Sequence, residues 1–186
     1  MRGKWRFAAA VVAPVLTCCL VVGCGGSSSP RDAAATFAVP AGLVPLAGDG
    51  FRIGLPNPAT SRVQTVSTSA GPVSTRVWTA TGTTDAYVVA LNAYPDSTSV
   101  DLIGAVNGVA STFTGTVATN VALTVLGRPA REARITGSSS GTAVTVELLV
   151  VDDNGKLFQL QYVSRGKAFL KPPATFRSVV SSLGFG

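Results

Sequence analysis

Residues 142–164 read Thr-Ala-Val-Thr-Val-Glu-Leu-Leu-Val-Val-Asp-Asp-Asn-Gly-Lys-Leu-Phe-Gln-Leu-Gln-Tyr-Val-Ser, and this stretch decides the fold class. Val144, Val146, Leu148 and Val150 recur at the period of two that sets side chains on one face of a strand. Leu149 and Val151 make its far face apolar too. The run stops at Asp153-Asn154-Gly155-Lys156, where Asn-Gly accepts the positive φ angles of a type I′ turn. Phe158, Leu160 and Tyr162 then lead back along a second strand, closing a hairpin.

The same period appears on either side. Phe51, Ile53 and Leu55 alternate until Pro56 ends the run, and a short strand covers Val63 to Val66. Val73, Thr75 and Val77 share one face of the next strand, and Tyr87, Val89 and Leu91 share one face of another that ends at Tyr94-Pro95. The period then changes. Leu102, Ile103, Val106, Val109, Ala110 and Phe113 form one apolar stripe on a helix over Ser99–Phe113. Thr98 or Ser99 caps it, and Asp101 suits its positive end. Gly104 and Gly108 each weaken it by about 1 kcal/mol and, four apart, admit a close neighbour. Strand pattern resumes at Val121, Leu123 and Val125, turns at Gly127-Arg128-Pro129, and continues through Ala130 to Thr136 with Ala133 and Ile135 inward. Pro173 opens a second helix whose stripe is Phe176, Val179, Val180 and Leu183, and Gly184 stops it. The expected fold is α+β: an antiparallel β-sheet of about seven to eight strands with two packed amphipathic helices.

The first residues address the chain. Arg2, Lys4 and Arg6 precede an apolar run from Phe7 to Val22, broken only by Thr17. That is the layout of a secretory signal peptide, and it is short for a spanning helix of about 20 residues, with Pro14 in its middle. It ends at Val21-Val22-Gly23-Cys24, which resembles the bacterial lipobox, with valine in place of the commoner leucine. The resemblance implies cleavage between Gly23 and Cys24 and a diacylglycerol, with fatty acyl chains such as palmitate, on the Cys24 thiol. Cys18 and Cys19 follow a shorter apolar segment with Thr17 immediately before them, and fit less well. Gly25 to Ser29 and Pro30 then make a flexible tether. The expected organisation is a leader over 1–23, a lipidated N-terminus and linker over 24–49, and one domain over 50–186. The expected location is the outer face of the plasma membrane.

Composition excludes more than it reveals. The chain has no histidine, and all three cysteines lie in residues 18–24. Serine–histidine and cysteine–histidine catalysis are excluded, as are disulfides and the usual zinc sites in the exported domain, and no cofactor is expected. Loss of Arg2, Lys4 and Arg6 with the leader leaves 12 basic against 9 acidic residues, a net +3 that makes no case for nucleic acid.

Several motifs look like chemistry. Gly137-Ser138-Ser139-Ser140-Gly141 fits the nucleophile-elbow expression, yet it lies between two strands in a chain without a base for the serine. Asp152 and Asp153 are too few for calcium and belong to the turn. Ser164 and Lys167 could form a serine–lysine pair, but nothing around them calls for a lowered lysine pKa. Arg128, Arg131 and Arg134 recur every third residue, which on a strand puts Arg128 and Arg134 on one face and Arg131 on the other. Trp78 and Arg76 share a face and form a candidate interface pair, unless another element covers Trp78 as core. Carboxylate-based hydrolysis would draw on Asp85, Asp96, Asp101, Glu132 and Glu147.

The order of elements brings a family into view. A Phe51-x-Ile53-x-Leu55-Pro56 strand, two further strands, a helix, a Gly127-x-Pro129-Ala130 turn, the Lys156-Leu157-Phe158-Gln159-Leu160 strand and a Phe176-x-x-Val179-Val180-x-Ser182-Leu183 helix resemble the PsbP-like α/β/α sandwich of actinobacterial (mycobacterial LpqN and LpqT type) envelope lipoproteins. The resemblance spans residues 50–186. It implies a non-enzymatic role in binding or assembly at the cell envelope and supplies no site residues. The expected function is therefore a membrane-anchored, non-catalytic binding or scaffold domain whose partner is an envelope protein, a cell-wall component or a lipid. The alternative is a carrier of an apolar ligand, which needs a cavity of several hundred Å³.

Overall fold

A computed structural model describes residues 39–68, 71–94, 100–166 and 168–186. The leader, Cys24 and the first part of the linker lie outside them. The described elements are β1 (Val44–Gly48), β2 (Phe51–Leu55), β3 (Thr60–Thr68), β4 (Gly71–Thr81), β5 (Asp85–Ala93), α1 (Leu102–Thr112), β6 (Thr116–Val125), β7 (Arg128–Ser139), β8 (Thr142–Asp153), β9 (Lys156–Arg165), α2 (Ala174–Ser181) and β10 (Gly184–Phe185). Seven strands form an antiparallel sheet in the order β3-β4-β5-β9-β8-β7-β6, and β1-β2-β10 form a small second sheet. The α+β expectation holds, and the second sheet is an addition to it.

Turn chemistry builds the larger sheet. The meander from β6 to β9 has three two-residue connections, Leu126-Gly127, Ser140-Gly141 and Asn154-Gly155. Their φ angles are +50 and +79, +50 and +78, and +53 and +84, so both central residues are left-handed in each. That is the condition for a turn whose twist matches the strands it joins. Glycine takes such angles freely at the second position; leucine and serine at the first are held there by the strands on either side.

Both faces of this sheet are covered. On one face, Trp78, Tyr87, Val89, Leu91, Ala130, Leu149, Val151, Phe158 and Leu160 pack against Phe51, Ile53 and Leu55 of β2 and against Phe176, Val179 and Leu183 around α2. On the other, Ala133, Ile135, Val144, Val146, Leu148, Val150, Leu157 and Val163 pack against Ala105, Val106, Val109, Ala110 and Phe113 of α1. This explains why β8 is apolar on both sides. Removing a side chain such as Phe158, which is fully buried, from water is worth roughly 2–3 kcal/mol.

Helix α1 carries the chain from β5, in the middle of the sheet, to β6 at the far edge. It begins at Leu102 rather than Ser99. The cap is Asp101, whose Oδ1 accepts the amides of Ile103 at 3.0 Å and Gly104 at 2.9 Å. Thr98 and Ser99 lie outside the described residues. Gly104 leaves room for that cap, since a Cβ there would meet the Asp101 carboxylate at 2.6 Å. Ile103, expected in the stripe, is half-exposed because it falls beyond the edge of the face that meets the sheet. At its other end α1 is pinned to β7, where the Ser138 amide donates to the Phe113 carbonyl at 2.7 Å.

Order begins before residue 50. Residues Val44–Gly48, expected as linker, pair along β2, and Pro45 fits because β1 is an edge strand. After α2 the chain does not end at the glycine stop: Gly184 and Phe185 add β10 to the other side of β2.

Candidate functional site

Arg76 and Trp78 stay neighbours, with the Arg76 guanidinium 6.0 Å above the centroid of the Trp78 ring, but they differ in exposure. Trp78 is buried at 5% exposure, with Phe51 edge-on to it at 5.0 Å between ring centroids. Arg76 stays exposed and pairs with Asp49 in the β1–β2 turn at 3.3 Å. Trp78 is thus core, the alternative that the sequence left open, and it is Arg76 above it that faces solvent. The cause is the β1–β2 hairpin, part of which the sequence reading placed in the linker, lying over this end of the sheet. Gly23 and Cys24 lie outside the described residues.

The three arginines do split as their spacing requires. Arg128 reaches Asp153 at 2.6 Å and lies over the Phe185 ring at 4.5 Å, and Arg131 reaches Asn120 at 3.0 Å on the opposite face. The Asp152 carboxylate accepts the Gly155 amide at 2.9 Å, which makes it a turn residue. Ser138 and Ser139 end β7, and Ser140-Gly141 are the turn into β8, so the nucleophile-elbow match is part of a hairpin. Ser164 is buried, while Lys167 and Asp96 lie outside the described residues.

One arrangement went unread in the sequence. Arg134 on β7 stands opposite Glu147 on β8, and its Nε donates to Glu147 Oε2 at 3.0 Å. Glu147 is only 2% exposed. Burial pushes its carboxyl up to about 7; Arg134 opposes that rise, and the neighbouring Glu132 carboxyl adds to it. Neighbouring strands extend the polar row. Glu147 pairs in register with Tyr162 on β9, and Tyr162 with Tyr87 on β5. The Tyr162 hydroxyl donates to Asp85 Oδ2 at 3.3 Å. Burial raises the pKa of both tyrosines, so both stay protonated. The Tyr87 hydroxyl is buried with no hydrogen-bond partner among the described residues.

A connection lies across this row. Between β9 and α2 the chain passes Phe169, whose ring sits 5.7 Å from that of Tyr162 and carries the Arg134 guanidinium 5.5 Å above it. Arg134 Nη1 also donates to the Leu170 carbonyl. Arg134 therefore braces the loop on top of the buried carboxylate. Leu170 itself is 91% exposed.

The opposite face carries buried amides beside the area under α1. Thr75 donates to Asn92 Oδ1 at 2.7 Å, and Asn92 Nδ2 to the Leu157 carbonyl at 3.5 Å. Gln161, at 1% exposure, donates to Gln159 Oε1 at 3.4 Å. Among the described residues no three acidic, histidine or cysteine side chains are placed to hold a metal. No helix there is long and apolar enough to cross a membrane.

Sequence comparison gives no match: no family model and no curated protein is similar to this chain. Solved structures do match. The solution structure of cyanobacterial PsbP (CyanoP) from Synechocystis superposes with a TM-score of 0.52 at 14% identity, covering 89% of this chain and 98% of that one. A Pseudomonas aeruginosa protein of unknown function gives a TM-score of 0.38 at 7% identity over 67% of this chain and 83% of its own, too distant to carry an argument. The CyanoP likeness shows the fold alone: this chain has a PsbP-like architecture.

Proposed function

We propose that this protein is a lipoprotein held at the outer face of the plasma membrane through Cys24, whose domain works by binding rather than by catalysis. The observation that carries the reading is how the carboxylates are used. Asp101 caps α1, Asp152 closes a turn, Asp153 holds Arg128, Asp85 accepts Tyr162, and Glu147 is closed off beneath Arg134. Glu132 and Glu147 do converge, as a carboxylate pair for hydrolysis must, but the second is nearly inaccessible and a loop lies over it. The PsbP-like fold agrees with a binding or scaffold role, and the basic-apolar leader with its lipobox supports the anchor. Within an actinobacterial-type envelope, the partner would be another envelope protein, a cell-wall component or a lipid.

The carrier reading draws less support. Aromatic and aliphatic side chains meet on one face of the sheet, and the part of the other face beside α1 presents Asn92, Gln159 and Gln161, a poor lining for an apolar ligand. Native mass spectrometry of the protein purified from its membrane decides between the two. The scaffold reading expects the mass of the lipidated chain alone; a second, non-covalent lipid in stoichiometric amount would reverse the preference.

A further inference from the structure

We propose that the loop between β9 and α2 is a membrane-docking surface: Leu170 enters an anionic bilayer while Lys171 and Arg177 sit on its headgroups. Three independent observations meet at this loop.

The first is an exposed leucine on a braced backbone. Leu170 is the most exposed large apolar side chain among the described residues, at 91%. Its carbonyl is tied to Arg134, its neighbour Phe169 is packed between Tyr162 and that arginine, and Pro172-Pro173 follow. A leucine held out this way costs free energy in water and recovers it in an apolar phase.

The second is charge. Asp153 is the last acidic residue of the sequence, so the whole segment from β9 onward carries only positive side chains. Lys171, next to Leu170 in the chain, and Arg177, in the first turn of α2, are both exposed and are not among the ion pairs of the described residues. Cations close in the chain to a protruding apolar residue fit an anionic lipid surface, where each adds about 1 kcal/mol.

The third is position. The loop leaves β9 at Arg165, whose amide donates to the Thr84 carbonyl in the β4–β5 turn. The start of the described chain lies toward the same end. Val39 sits beside Gly54, Val44 pairs with Leu55, and five residues after Leu55 Thr60 pairs with Thr79 near that turn. A tether running from Cys24 to Val39 spans at most about 50 Å. A lipid on Cys24 would hold this end of the domain toward the bilayer. The inference thus extends the anchored reading, but the loop's affinity for lipid does not require the anchor.

The test uses the unlipidated chain from residue 24 onward, with Cys24→Ser, cosedimented with vesicles. The chain should bind vesicles of phosphatidylcholine mixed with phosphatidylglycerol, release them in high salt, and ignore pure phosphatidylcholine. Lys171→Ala should weaken binding about fivefold and Leu170→Asp at least as much. Val63→Asp, which changes a 60%-exposed residue on the β3 edge, should leave it unchanged. Thermal midpoints of the variants should match the parent, since neither Leu170 nor Lys171 side chain is buried. Absence of binding to the mixed vesicles, equal binding to both kinds, or full binding by Leu170→Asp would overturn the proposal. Fatty-acid labelling at Cys24 reads the anchor separately, so an unlabelled protein whose domain still binds anionic vesicles would remove the anchor and keep the loop.

Discussion

Arg134 and Glu147 face each other across β7 and β8 at 3.0 Å, and the same guanidinium that holds the buried carboxylate also holds the Leu170 carbonyl above it. One side chain thus joins the sheet to the connection into α2. Its removal leaves a carboxylate with little access to water and a loop without its brace. Breaking such a pair from one side costs about 3–5 kcal/mol. Arg134→Ala should therefore lower stability by roughly 3 kcal/mol at pH 7.5. The loss should be smaller at pH 5, where Glu147 can take a proton instead, and urea denaturation at the two pH values measures the difference.

Glu147 also sets a pH dependence. Its carboxyl binds a proton more tightly in the folded chain, near 7, than in the unfolded one, near 4.5. Between those values the folded state holds the extra proton, so its contribution is full below pH 4.5 and is lost as pH rises through 7. The loss is at most about 3 kcal/mol. Glu147→Gln should flatten the stability profile across this window, with the denaturation midpoint followed from pH 4.5 to 8.

Trp78 gives an optical check on the core. The sequence has two tryptophans, Trp5 and Trp78, and the first lies in the proposed leader. The emission of the chain from residue 24 onward should therefore be blue-shifted and resist acrylamide quenching, becoming red-shifted only on unfolding. Phe51→Ala, which removes the ring edge-on to Trp78, should cost about 3–5 kcal/mol and move the folded emission toward that of an exposed indole.

Gly137 marks the place where α1 meets β7. A Cβ there would come within 2.4 Å of the Phe113 carbonyl oxygen and 2.7 Å of the Gly115 Cα, both backbone atoms that cannot swing aside. Gly137→Ala should cost about 1–3 kcal/mol and speed hydrogen exchange at the Ser138 amide, which bonds to that carbonyl.

These sites differ in how far the sequence announces them. The Asn154-Gly155 hairpin, the alternation in β5 and β8 and the stripe of α2 are local patterns, and each was readable. The Arg134–Glu147 pair was nearly so. Ser140-Gly141 is a two-residue turn, and from the flanking Ser139–Thr142 pair five further steps along each strand reach Arg134 and Glu147. What concealed it is that Gly137 to Gly141 also fit a nucleophile-elbow pattern, which does not mark where the two strands end and so leaves their register open. The small second sheet was not legible, because β1 and β10 are short and owe their pairing to β2 rather than to their own pattern. Trp78 was ambiguous for the same reason: its burial depends on Phe51, distant in sequence, packing over it. Asp101 was placed correctly at the positive end of α1, but its role as the cap depends on the backbone leaving the extended conformation there and not at Ser99.

The anchor at Cys24 underlies the functional account, and metabolic labelling with an alkyne fatty acid tests it most directly. The account predicts a labelled protein in the membrane fraction and no label on the Cys24→Ala variant, even though Cys18 and Cys19 remain. Label that persists in the variant, or is absent from both proteins, would contradict it.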